Sequence, residues 1–215
     1  MKLIGICLIL ILTLGLIGCS NSIPDPVNDS DAVYVTVLND FKRNHLDGSE
    51  VELFVINSFT EVDKVSKRPL EEMLRNLDFD LPTQDADDLI YDRKPSLPKA
   101  YKEAMEDFKL KNKESKQLTK LPDLPQDQTF ISHDDFRALM SGKNPEENWK
   151  AFYRKYPGSS GFILLSAVGF DVQKKHAFVY VEEICGILCA GGNYILLEKD
   201  SGIWKKIAQK NIWVS

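Results

Sequence analysis

Histidine, cysteine and long apolar stretches are all scarce in this 215-residue chain, which holds three histidines and four cysteines. No pair of histidines stands at metal-binding spacing and no G-x-S-x-G turn supplies a nucleophile, so neither zinc-peptidase nor serine-hydrolase chemistry is signed in the sequence. A helix that crosses a bilayer needs about 20 apolar residues. The one uninterrupted run, residues 3 to 17, is shorter. The segment after it, Ser20 to Asp31, carries no Lys or Arg cluster to stop transfer, which argues against a simple membrane anchor. Positive charge is not in excess either: 27 Lys and Arg face 32 Asp and Glu, for a net charge of −5. That balance disfavours nucleic acid or an anionic lipid surface as the main partner. At 43% hydrophobic and 27% charged residues the chain has the composition of an ordinary globular protein, not of a disordered one.

What is present starts at the N-terminus. Met1 and Lys2 form a short positive region and residues 3 to 17 an uncharged core. Leu16, Ile17 and Gly18 then precede Cys19 where an ordinary secretory signal has its cleavage site. This resembles a bacterial lipoprotein signal, and the resemblance implies removal of residues 1 to 18, a diacylglyceryl thioether on Cys19 and a further acyl chain on the new amine. An uncleaved signal anchor or a signal without lipid are the other readings. Each buried methylene contributes about 0.8 kcal/mol, so two or three chains hold a protein at a membrane where one binds only reversibly. Ser20 resembles the default outer-membrane sorting residue of two-membrane bacteria. The expected location is therefore the cell envelope, with the domain outside the cytoplasm. Residues 19 to 30 read as a short spacer, rich in Pro, Asn, Asp and Ser, and residues 31 to 215 as one globular domain.

Cys7 leaves with the signal and Cys19 is consumed by lipid, so the domain keeps Cys185 and Cys189. That even remainder suits an oxidising compartment. A disulfide between them requires a tight turn, which Gly186, Gly191 and Gly192 make feasible.

Along the domain, Asp31 is expected to cap a first helix with Val33, Val37, Leu38 and Phe41 on one face. Val51 to Ile56 reads as a buried strand, apolar on one face and mostly so on the other. A short helix is expected over Leu70 to Leu77, then a proline- and aspartate-rich loop in which Asp78, Asp80, Asp85, Asp87 and Asp88 do not fit a Ca²⁺-loop spacing. Ser96 caps a helix with Tyr101, Ala104, Met105 and Phe108 in one stripe, and Thr129 to Ile131 forms a brief strand. Ser132 caps a helix ended by Gly142, and Pro145 opens another bearing Trp149, Phe152, Tyr153 and Tyr156. From Gly161 the pattern turns to strands over Phe162 to Phe170, Ala177 to Ile184, Tyr194 to Glu198 and Ile203 to Val214, with the glycine-rich cysteine segment as a loop. The fold class is α+β: N-terminal helices, residues 31 to 157, on one face of a C-terminal antiparallel meander, residues 161 to 215.

Few residues are candidates for chemistry. Cys185 and Cys189 read as a structural disulfide, a redox pair, or, with His176, soft ligands for copper(I) or zinc. Their three-residue spacing between strands is unlike a redox motif at a helix N-terminus. His133, Asp134 and Asp135 have the composition of an acid/base cluster, but acidic groups also belong in the first turn of a helix. Ser159 and Ser160 lie between Gly158 and Gly161 in a helix-to-strand loop, the wrong context for a nucleophile elbow. The aromatic face from Trp149 to Tyr156 reads as core or as the wall of a groove.

The segments Tyr156 to Phe162, Val168 to Phe170, Val179 to Val181, Cys185 to Cys189 and Leu196 to Lys199, with Trp204 and the terminal Trp213, Val214 and Ser215, resemble an uncharacterised family of bacterial exported proteins. That family brings no activity, cofactor, metal or ligand to carry over. Ala167 departs from it where arginine is common, and Ile187 and Ala190 where glycine is common. The preferred functional expectation is a membrane-tethered, non-enzymatic binding or interaction module. The alternatives are an envelope hydrolase built on His133, Asp134 and Asp135, or a thiol- or copper-handling protein built on Cys185 and Cys189.

Overall fold

Strands that are apolar on both sides need cover on both sides, and that requirement organises the domain. In the computed structural model, residues 28–41, 51–61 and 97–215 are described. The signal segment and Cys19, the body of the spacer, the helix expected over Leu70 to Leu77, the aspartate-rich loop and Ser96 lie outside them. The described elements run α1 (Asp29–Phe41), β1 (Leu53–Asn57), α2 (Lys99–Lys111), β2 (Asp127–Ile131), α3 (His133–Leu139), α4 (Pro145–Lys155), β3 (Ser159–Leu165), β4 (Gly169–Phe170), β5 (His176–Gly186), β6 (Cys189–Asp200) and β7 (Ile203–Val214).

The class is α+β, with the helices towards the N-terminal side and most strands towards the C-terminal side. One sheet of seven strands has the order β2-β1-β3-β5-β6-β7, and the short β4 pairs with β5. Strands β3, β5, β6 and β7 form the antiparallel part. The early strand does more than join its edge: β1 lies between β2 and β3 and is parallel to both, in register from Leu53 opposite Asp127 and from Val55 opposite Phe162. The sheet is therefore mixed.

Helices cover both faces, which corrects the expectation of one. On the first face, Phe54, Ile56, Ile163, Val179 and Ile195 pack with Val33, Val37 and Leu38 of α1. On the second, Phe178, Tyr194 and Leu196 meet Ala104, Met105 and Phe108 of α2, while Val55, Phe162 and Leu164 meet Phe136 of α3 and Phe152 of α4. The strand alternation that sends Val55 one way sends Phe54 and Ile56 the other, so a single helical layer could not bury both sets.

Local chemistry fixes the helix ends. The Asn28 side chain accepts from the Ser30 N–H at 3.1 Å, so α1 starts at Asp29 and Asn28 takes the capping role expected of Asp31. Asp29 instead pairs with Lys199 at 2.5 Å and Lys174 at 3.6 Å, tying the start of α1 to the end of β6. Helix α2 starts after Pro98 with no side-chain cap. Past its end, the Asn112 amide donates to Phe108 and Ala167 carbonyls at 2.8 and 2.9 Å and accepts from the Ala167 N–H at 2.8 Å. Ala167 thus serves the fold through its backbone.

The segment expected as a glycine-rich loop is strand. Only Ile187 and Leu188 separate β5 from β6, and Gly192 sits opposite Glu182 within the ladder. A Cβ on Gly192 would collide with the Tyr180 hydroxyl and the Trp213 indole nitrogen. This glycine makes room for a buried chain in which Trp213 donates to Tyr180 at 2.9 Å and Tyr180 to Glu182 at 3.1 Å. Among the described residues no helix is long and apolar enough to cross a membrane.

Candidate functional site

Cys185 and Cys189 form a disulfide, with their Cα atoms 5.0 Å apart. It closes the tip of the β5–β6 hairpin, where Gly186 pairs with Cys189 after an irregularity at Ile184. The bonded sulfurs offer neither a free thiol nor a thiolate ligand. His176 stands at the opposite end of β5 and takes no part there. Among the described residues no group of three or more His, Cys, Asp and Glu is placed to hold a metal ion.

His176 has another setting. Asp171 accepts from the Lys175 N–H at 2.7 Å and the His176 N–H at 3.0 Å, and its second oxygen lies 3.1 Å from His176 Nδ1. The Tyr101 ring meets the imidazole edge at 5.0 Å. Burial pushes the Asp171 carboxyl up, but the His176 and Lys175 hydrogen bonds outweigh it and hold the group below its ordinary 3.8. A carboxyl held low in the fold contributes stability that is whole above its unfolded value and lost as the pH falls through the native one. Asp171→Asn is accordingly expected to lower stability at neutral pH and to flatten its fall below about pH 4, measured by urea denaturation across an acid series.

His133, Asp134 and Asp135 begin α3. Ser132 and Asp135 make a reciprocal capping box: the Asp135 N–H donates to Ser132 Oγ at 3.0 Å and the Ser132 N–H to Asp135 Oδ2 at 3.3 Å, to which the Ser132 hydroxyl also donates at 2.6 Å. The hydrogen bonds from Ser132 hold the Asp135 carboxyl below its ordinary range. Asp134 and Asp135 are exposed, and the three side chains do not converge on the groove described below. Their geometry is that of a helix start and lends the hydrolase reading no support. Ser159 donates to the Tyr156 carbonyl at 2.8 Å, sealing the end of α4.

The aromatic face of α4 divides. Phe152 and Tyr156 are core, whereas Trp149 and Tyr153 are half-buried and open onto a groove of about 830 Å³ between α4 and the hairpin tip. Trp149, Tyr153, Ile187 and Leu188 make its apolar surface, and Glu146, Lys150 and Arg154 its charged rim. Ile187 is 52% and Leu188 85% exposed, an outlay of apolar surface that the core does not require. The Tyr153 hydroxyl donates to the Cys185 carbonyl at 2.8 Å and so pins the helix to the hairpin. Burial, with a smaller push from Glu183, raises that phenol to about 12, so it stays a donor at neutral pH. The role of Ile187 and Leu188 was hidden in the sequence. Two apolar residues between cysteines read equally well as core, and only the two-residue turn turns them outward.

Compared with family models, with curated proteins and with solved structures, the chain matches none.

Proposed function

We propose that this protein is a lipoprotein of the bacterial cell envelope, acylated on Cys19 and held at a membrane by that lipid, whose domain is a non-enzymatic interaction module. The observation that carries the module reading is the open apolar groove beside a disulfide-closed hairpin, set in a domain where Asp135 of the candidate acid/base cluster caps a helix. The disulfide also favours export, because cytosolic thiols are kept reduced. The Leu16 to Cys19 pattern names the acylation residue, and Ser20 favours the outer membrane where the organism has two.

Cys19→Ser tests the anchor. In cells fed a tagged fatty acid, the native chain is expected to carry the tag, to begin at residue 19 and to sediment with membranes. The variant is expected to carry no tag and to keep its leader. A mature native chain that begins elsewhere or lacks acyl mass overturns the reading. The module reading is checked by crosslinking in intact envelopes: an adduct formed through the groove supports it, and a turnover of envelope substrates abolished by changing His133 or Asp134 refutes it.

A further inference from the structure

We infer that His176 and Glu198 form a surface binding site for one divalent transition-metal ion of the copper(II) and zinc class, with Asp171 fixing the imidazole from behind. The site lies at the opposite end of β5 from the disulfide. It depends neither on the lipid anchor nor on any occupant of the groove.

The sheet register builds the pair. His176 of β5 stands directly opposite Glu198 of β6, and side chains opposite one another across an antiparallel ladder leave the same face. Two neighbouring strands of one sheet hold such groups more firmly than loops would. The imidazole is fixed further on both sides. Asp171 takes its Nδ1 proton at 3.1 Å, and the Tyr101 ring of α2 packs against it edge-on at 5.0 Å. A carboxylate on the far nitrogen is the usual companion of a metal-ligating histidine, because it sets the tautomer and the ring plane.

That arrangement sets two acceptors face to face. With its proton on Nδ1, the neutral imidazole presents a lone pair at Nε2. What stands 3.8 Å from it is the Glu198 carboxylate, which also only accepts. The separation is too long for a hydrogen bond, and the two groups repel unless a positive centre stands between them. An ion bonded to both at about 2.0 to 2.2 Å spans up to about 4.2 Å, so the gap suits one. Neighbouring ammonium groups are engaged elsewhere. Lys205, opposite Glu198 across the next ladder, pairs with Asp200 at 2.7 Å, while Lys174 and Lys199 meet Asp29. Side-chain exposures of 17% for His176 and 51% for Glu198 keep the pair open to solvent and give Glu198 freedom to close on an ion.

The donor set chooses the ion. Calcium and magnesium take cages of oxygen ligands, about six to eight for calcium. One nitrogen with one carboxylate oxygen suits a borderline ion that keeps water in its other positions. Copper(I) prefers thiolate or thioether, and Cys185 and Cys189 are joined to each other at the far end of β5. For a nitrogen and oxygen set the affinity order places copper(II) ahead of zinc. Two protein ligands leave the ion open on its outer side, so the chemistry is reversible capture of a metal ion at the surface, not a closed structural centre.

The test titrates the native chain in detergent, cleared of metal with a chelator, with Cu²⁺, Zn²⁺ and Ca²⁺ at neutral pH. A single Cu²⁺ per chain is expected to bind, more tightly than Zn²⁺ and with no response to Ca²⁺, and its electron spin echo spectrum is expected to show one imidazole. His176→Gln is expected to remove that signal and weaken binding by about tenfold or more, Glu198→Gln to weaken it about tenfold, and Asp171→Asn, which alters the positioning group, by about 10- to 100-fold. Glu198→His is expected to bind at least as tightly as the native chain and to show two imidazoles, a gain that a misfolded variant could not show. His45→Gln and His133→Gln are expected to change nothing. Absence of stoichiometric binding overturns the inference. So does binding that survives His176→Gln, which assigns an adventitious ion only, binding unchanged by Glu198→Gln, or a single imidazole in Glu198→His. If the pair captures a proton alone, the metal titration is flat while acid shifts the His176 resonances, and the inference falls.

Discussion

Phe162→Ala is expected to lower stability by about 4 kcal/mol. Phe162 is fully buried in β3, and its ring stacks on Phe136 of α3 at 4.2 Å and 12°. Phe136 in turn meets Phe152 edge-on at 5.9 Å, and Phe152 meets Trp149 at 5.3 Å. Removing the ring leaves a cavity under two short helices that have few other ties to the sheet, so the loss includes contacts as well as transfer of the side chain. The check is the midpoint of urea unfolding at unchanged slope. Val172→Ala, at an exposed position, is expected to shift it by less than about 0.5 kcal/mol. Because the groove wall rests on this same aromatic cluster, Phe162→Ala is also expected to weaken anything bound there.

Gly169→Val is the second large effect, at about 3 kcal/mol. The backbone of α2 crosses β4 so closely that a Cβ at Gly169 would run into the Ala104 carbonyl oxygen, the Phe108 nitrogen and the Phe108 side chain. A flexible side chain could swing aside, but a helix backbone can yield only by moving the whole helix. Such a shift would strip Ala104, Met105 and Phe108 from Phe178 and Tyr194, and would pull on the Asn112 clamp at Ala167. Thermal unfolding measures the loss. Retained far-ultraviolet helicity with lowered protection of α2 amides would locate it.

Periodicity made most of the described elements legible. The stripe Tyr101, Ala104, Met105 and Phe108 identified α2, Ser132 opened α3 although the helix ends at Leu139 with Met140 as its cap, short of the expected Gly142, Pro145 opened α4, and the β-branched runs after Gly161 identified the C-terminal strands. Pairing was less accessible. Val51 to Ile56 announced a buried strand, yet nothing local told that it would run parallel to β3, because parallel partners are set by contacts far along the chain. Gly191 and Gly192 misled for a different reason. Glycine marks turns when the backbone needs freedom, but here Gly192 leaves space for Tyr180 and Trp213. The disulfide was readable from the two cysteines left to the domain and the glycines around them. The groove was readable only by half: the aromatic face of α4 was evident, while its division into core Phe152 and open Trp149 depended on where the hairpin tip came to rest.

The central place of β1 also sets the order of assembly. The hairpins β5–β6 and β6–β7 pair neighbours in the chain and close over short distances, whereas β1 must find β3, which lies far along the chain. Until β3 is made the run Phe54, Val55 and Ile56 lacks its later partner, so the first part of the polypeptide cannot close the middle of the sheet alone. A topology of this kind keeps the nascent thread open, the state in which a chain can still be passed through a narrow channel.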